Sequence, residues 1–108
     1  MKAAVIGSGT WGLALSQVLC DNGHNVTVYS LFEELATEIN AAHTASRVFG
    51  DHLFPESLYA TADLEEAVKG KDLLVLSVPT SALDTVLSNI KPYLEEETVL
   101  VNTAKGFD

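Results

Sequence analysis

One cysteine, Cys20, stands in the 108 residues, so no disulfide can close within the chain. It falls in an apolar helical pattern and reads as buried filler rather than as a reactive thiol. Cations are scarce as well: six Lys and Arg face fifteen Asp and Glu, for a net charge of −9. That balance disfavours a nucleic-acid or anionic-membrane surface. It still permits a phosphate ligand, because backbone N–H groups bind an anion locally whatever the total charge. No apolar run approaches the ~18 residues that span a bilayer. The short apolar stretch after Lys2 is too brief for a secretory leader. A soluble, cytoplasmic chain is expected, with neither nucleic acid nor membrane as partner. His24, His43 and His52 lack the spacing of metal ligands, so no metal is expected. There is no internal repeat, low-complexity tract or linker. The length suits one small domain, and an apolar share of 47% is enough for a core.

What is present alternates between two periods. Apolar or β-branched runs at 2–7, 25–30, 58–61, 72–78 and 98–104 read as strands. Between them, 10–23, 33–42, 63–70 and 80–90 read as helices. Asp63 and Glu66 form an N-cap pair for the third helix, and Gly23 and Gly70 are stop signals. Residues 43–57 show no period and form the longest loop, of the kind that is functional or mobile. The order βαβα–loop–βαβαβ predicts a parallel sheet with helices on both faces. Right-handed crossovers favour a Rossmann-like doubly wound order, 3-2-1-4-5. Such a sheet takes ligands where the strand order reverses, at the carboxyl ends of its first and fourth strands. Gly7 to Gly12 and Val78–Pro79 lie there, with Ala104, Lys105 and Gly106 at the neighbouring strand.

The stretch GSGTWG, residues 7–12, follows a strand and opens a helix, the context in which G-x-G-x-x-G signals a dinucleotide site. Gly7 makes the tight turn, Gly9 lets a pyrophosphate reach the backbone, and Gly12 lets the helix pack on the sheet. The helix dipole and first-turn N–H groups then face the anion. An acidic residue is expected about 20 residues on, where it would hold the ribose 2′-hydroxyl. Ser30 occupies that place. A 2′-phosphate would not be repelled there, yet no Arg or Lys stands beside Ser30 to attract one. Both NAD and NADP stay open as cofactors.

These residues resemble the start of the NAD(P)-dependent sn-glycerol-3-phosphate dehydrogenases. The likeness runs through the glycine loop with its aromatic Trp11, NGHNV, EIN with His43, TADLEEA, VPTSAL and NTAKGFD. It covers nearly the whole chain. It implies a dinucleotide-binding domain over residues 1–108 with a second, helical domain following. It implies NAD or NADP as cofactor, held by Gly7, Ser8, Gly9, Thr10, Trp11, Gly12, Ser30, Leu31, Pro79 and Lys105. The Trp11 indole would cover one side of the cradle, and Lys105 would also contact the substrate. The implied substrates are sn-glycerol 3-phosphate and dihydroxyacetone phosphate, interconverted by hydride transfer at C2 in the glycerol 3-phosphate metabolism that feeds phospholipid biosynthesis. The proton-handling lysine of the family belongs to the helical domain. No catalytic residue is therefore expected in this chain, which should bind dinucleotide without turnover. Two features depart from the family pattern. Leu31 replaces a frequent Arg or His, and VFGDHLFP (48–55) keeps only its final Pro55. A related dehydrogenase such as ketopantoate reductase, or a non-catalytic nucleotide-binding module, is the competing reading. Apolar surface left bare without a second domain predicts a homo-oligomer.

Overall fold

The structure, a computed structural model, describes residues 1–103. Its strands are β1 (Lys2–Ile6), β2 (Asn25–Tyr29), β3 (Tyr59–Thr61), β4 (Leu73–Leu76) and β5 (Val99–Asn102). All neighbouring pairs are parallel, in the expected order β3-β2-β1-β4-β5. The helices are α1 (Thr10–Asp21), α2 (Glu33–Ala42), α3 (Ser46–Phe49), α4 (Leu64–Val68) and α5 (Thr80–Ile90). A short 3-10 turn, Lys91–Tyr93, follows α5.

Alternation along β1 explains the two-sided burial. Val5 faces a cluster containing Leu13 of α1 and Ala36 and Ile39 of α2. Its neighbours Ala4 and Ile6 face a second cluster with Ala67 and Val68 of α4 and Ile90 of α5. Successive side chains of a strand point to opposite faces, so a central strand covered by helices on both sides must be apolar at every position. β1 and β4 obey this, with Ala3, Ala4, Val5, Ile6, Leu74, Val75 and Leu76 all buried. The edge strand β5 does not: Val99, Leu100 and Val101 are exposed. Cys20 is half-buried against the first cluster, and burial, helped by the nearby Asp21 charge, pushes its thiol pKa up.

Two sequence expectations need correction. The segment 43–57, read as one long loop, is not without regular structure. It contains α3, and Ala45, Phe54 and Leu58 anchor it in the core. A carboxylate outside the segment organises it. Glu38 of α2 accepts hydrogen bonds from Thr44 Oγ1 (2.6 Å), Ser46 N (2.8 Å) and Ser46 Oγ (3.2 Å). These donors hold its carboxyl pKa below the usual glutamate range. The second correction concerns the N-cap pair of α4. Asp63 caps as expected, accepting from the N–H groups of Glu65 and Glu66. Glu66 does not reach back, because the Asp63 N–H donates to Thr61 Oγ1 and the Glu66 carboxylate accepts from the Tyr59 hydroxyl. Tyr59 lies on β3, so a tertiary contact has displaced the local one.

Candidate functional site

The turn from β1 to α1 is built around two steric requirements. Gly7 has φ +126°, and a Cβ there would stand 2.1 Å from the carbonyl oxygen of Ser77, just beyond β4. A Cβ at Gly12 would stand 2.2 Å from the Gly7 carbonyl oxygen. The loop is thus clamped between the first turn of its own helix and the neighbouring strand. The Gly7 N–H donates to Tyr29 O of β2, and the buried Ser16 hydroxyl donates to Gly12 O. Gly9 differs: a Cβ there would meet nothing within 4 Å. Gly9 is also the N-cap of α1, and no side chain caps that helix. The N–H groups of a helix's first turn point out of its N-terminal end rather than to carbonyls of the helix itself. The dipole adds partial positive charge at this end. No acidic residue lies in the first turn to neutralise it. Thr10 and Trp11 are exposed, with the indole side chain 47% accessible.

Ser30 does not reach the surface of the site. It is fully buried, and its hydroxyl is engaged with Ser8 Oγ (2.9 Å), the Phe32 N–H (3.0 Å) and Phe32 O (3.2 Å). It braces the glycine loop against the β2–α2 turn instead of offering a group to a ligand. The first accessible residue after β2 is Leu31, which is 78% exposed.

A cleft of about 450 Å³ opens beside the loop. Gly7, Ser8 and Gly9 form one wall, Leu31 and Phe32 another, and Val78 and Pro79 a third. Ala82, Thr85, Val86 and Asn89 of α5 complete it. These last four occupy i, i+3, i+4 and i+7 positions, one face of a helix. Sequence reasoning identified the helix but missed that this row points into the site, although the spacing was its available signal. On the other side of the loop lies a second cavity of about 390 Å³. Ser8, Gly9 and Phe32 line both, so these three residues form the ridge between them. The second cavity is bounded further by Glu34, Leu35 and Glu38 of α2 and by Ser46, Arg47 and Val48 of α3.

Lys105, expected at the same carboxyl edge, lies outside the described residues, as do Ala104 and Gly106. Among the described residues no group of three or more His, Cys, Asp or Glu could hold a metal ion. Nor is any described helix long and apolar enough to cross a membrane. The described part of the site can therefore cradle an anion and enclose a flat apolar group, but it brings together no acid–base pair.

Residues 2–108 match the sequence family described as NAD-dependent glycerol-3-phosphate dehydrogenase N-terminus. A glycerol-3-phosphate dehydrogenase (NAD(P)+) of an Exiguobacterium species is 44% identical over 107 residues, covering 99% of this chain and 31% of that protein. The same enzyme of Fusobacterium nucleatum is 39% identical over 108 residues, covering 100% of this chain and 32% of its own. Among solved structures, the glycerol-3-phosphate dehydrogenase of Coxiella burnetii superposes with a TM-score of 0.85 at 30% identity, over 94% of this chain and 31% of that one. The Saccharomyces cerevisiae enzyme gives 0.89 at 25% identity, over 98% and 34%. The chain spans about a third of the length of the curated relatives it matches.

Proposed function

Because this chain belongs to the family of NAD-dependent glycerol-3-phosphate dehydrogenase N-terminal domains, we propose that residues 1–108 are the dinucleotide-binding unit of an oxidoreductase. Its substrates are sn-glycerol 3-phosphate and dihydroxyacetone phosphate. The observation that carries the reading is the open space over Gly9, at an uncapped helix start between two clamped glycines. A pyrophosphate fits there, held by the first-turn N–H groups of α1. The adenine enters the cleft between Leu31 and the α5 row, a largely apolar slot with Thr85 and Asn89 as polar groups. Ser8 would face the ribose, with Ser30 fixing its position from below.

When bound, the nicotinamide supplies the hydride acceptor or donor for C2 of the substrate. The chain's own contribution is to orient that ring and to exclude water on its cleft side. Lys105, three residues beyond the end of β5, is assigned to the substrate as a point charge beside the reacting carbon. The proton-handling lysine is assigned to the helical domain implied by the family resemblance. The isolated 108 residues then bind dinucleotide without turnover, and the protein works in the cytoplasm as a homo-oligomer. A ketopantoate reductase is not favoured, since the dehydrogenase family matches over residues 2–108.

Calorimetric titration of the chain with NADH and with NADPH tests the reading. Saturable binding of at least one is expected, together with no reduction of NAD+ or NADP+ when glycerol 3-phosphate is added. Failure of both cofactors to bind at millimolar concentration would overturn it.

A further inference from the structure

The end of β2 does not decide which dinucleotide this site accepts. Ser30 is buried beneath the loop, and Leu31 presents only an apolar side chain. The groups able to read the ribose must come from elsewhere. With the pyrophosphate over Gly9 and the base in the cleft beside Leu31, the adenosine ribose lies on the ridge formed by Ser8 and Phe32. Its 2′ substituent then faces the second cavity. Among the described residues, the one cation on the wall of either cavity that borders the glycine loop is Arg47.

We propose that Arg47 is the cofactor-specificity residue, receiving the 2′-phosphate of the phosphorylated dinucleotide. This rests on the reading of the glycine loop as a dinucleotide cradle. Three further observations support it. Arg47 is exposed and makes no ion pair within 4 Å among the described residues; Glu38 acts on it only from a longer distance. The turn just before it is fixed by three hydrogen bonds to Glu38, so the backbone that carries Arg47 is held beside the cavity. Those same bonds occupy the Glu38 carboxylate with donors. Glu38 nevertheless keeps its charge and attracts the Arg47 guanidinium, and Glu34, the other carboxylate on the wall, opposes a phosphate. A planar guanidinium makes paired bonds to phosphate oxygens, whereas a carboxylate repels them. Preference is therefore set by Arg47 against Glu34 and Glu38, residues that α2 and α3 bring to one cavity wall, with Arg47 distant from Ser30 in the chain.

The test is calorimetric binding of ADP-ribose and 2′-phospho-ADP-ribose to the wild-type chain and to Arg47→Ala, Arg47→Lys and Glu34→Gln. These probes carry the pyrophosphate and ribose and need no nicotinamide site. The wild type should bind the 2′-phosphorylated probe more tightly. Arg47→Ala should weaken that probe by roughly tenfold, the scale of one lost charge-assisted contact at an exposed position. ADP-ribose should change by less than about twofold under the same principle. Arg47→Lys should recover part of the loss, and Glu34→Gln should strengthen the phosphorylated probe alone. Unchanged binding in Arg47→Ala, or an equal loss for both probes, would overturn the proposal while leaving the dinucleotide reading intact. If the wild type binds neither probe, the cradle reading falls and the proposal with it. Because Arg47 is exposed, matching thermal unfolding of variant and wild type is the control that excludes a folding defect.

Discussion

At the residue scale, the three loop glycines serve two different purposes, and substitution separates them. Gly12 is required by the fold. An added methyl would meet the Gly7 carbonyl oxygen at 2.2 Å, a contact with backbone that cannot swing aside. Gly12→Ala should lower stability by about 2 kcal/mol or more, the scale of overpacking at a rigid site, read as a fall in the urea midpoint. Gly9 is not required by the fold. Its Cβ would enter open space, and its φ of −72° is accessible to alanine. Gly9→Ala should leave stability within about 1 kcal/mol, the range of N-cap changes, and abolish titratable NADH or NADPH binding. Loss of stability in Gly9→Ala equal to that in Gly12→Ala would show that the space over Gly9 is structural. Trp11, between them, is exposed on the first turn of α1, at the positive end of the helix dipole.

At the element scale, the last turns of α2 organise their surroundings through two polar side chains. Asn40 pairs with the backbone of Ala60 in both directions, accepting its N–H and donating to its carbonyl, each at 2.8 Å. That pairing satisfies edge backbone of the three-residue strand β3. Glu38 gathers the Thr44–Ser46 turn that starts α3. Its depressed pKa has a definite consequence for stability. Above the ordinary glutamate range the carboxylate is charged in both folded and unfolded chains, and its stabilisation is fully present. As pH falls below that range, the unfolded chain takes up the proton first and the stabilisation is lost. Acid unfolding of Glu38→Gln should therefore begin from a lower stability near neutral pH and fall less steeply below the glutamate range. Parallel acid limbs for variant and wild type would contradict this assignment. The motif EIN was visible in the sequence as a family resemblance. What its Glu and Asn hold was not, because both partners lie beyond the helix that carries them.

At the scale of the whole molecule, the two edges of the sheet are finished differently. β3 is short, clasped by Asn40 and packed against α2. β5 presents Val99, Leu100 and Val101 at 57%, 42% and 40% exposure and is the outermost strand of the sheet among the described residues. An apolar edge strand of this kind invites pairing with another chain. Light scattering of the 108-residue chain should show mass rising with concentration, and Val99→Lys should reduce that rise. A constant monomer mass across a wide concentration range would exclude association through this edge. The cleft and the second cavity lie at the opposite scale of finish, both bordering a loop whose backbone is clamped on two sides.

The alternation of periods, the glycine loop and the apolar central strands were sufficient in the sequence to specify the parallel sheet and its order. Each depends on contacts within an element or on the handedness of a crossover, which are local physics. Of the residues that local signals and the family resemblance pointed to, Gly7, Ser8, Gly9, Leu31 and Pro79 line the cleft. The sequence also put Ser30 at the place of a ribose-holding carboxylate and read residues 43–57 as one long loop. Tertiary structure added the burial of Ser30 beneath Ser8, the helix α3 and the anchoring by Phe54 and Leu58, which arise only when distant segments meet. It also decided that Ala82, Thr85, Val86 and Asn89 line the cleft and that Arg47 stands across the ridge from it. A helical row or a lone arginine carries no label in a sequence. Its role is set by the direction in which the packed helix finally points.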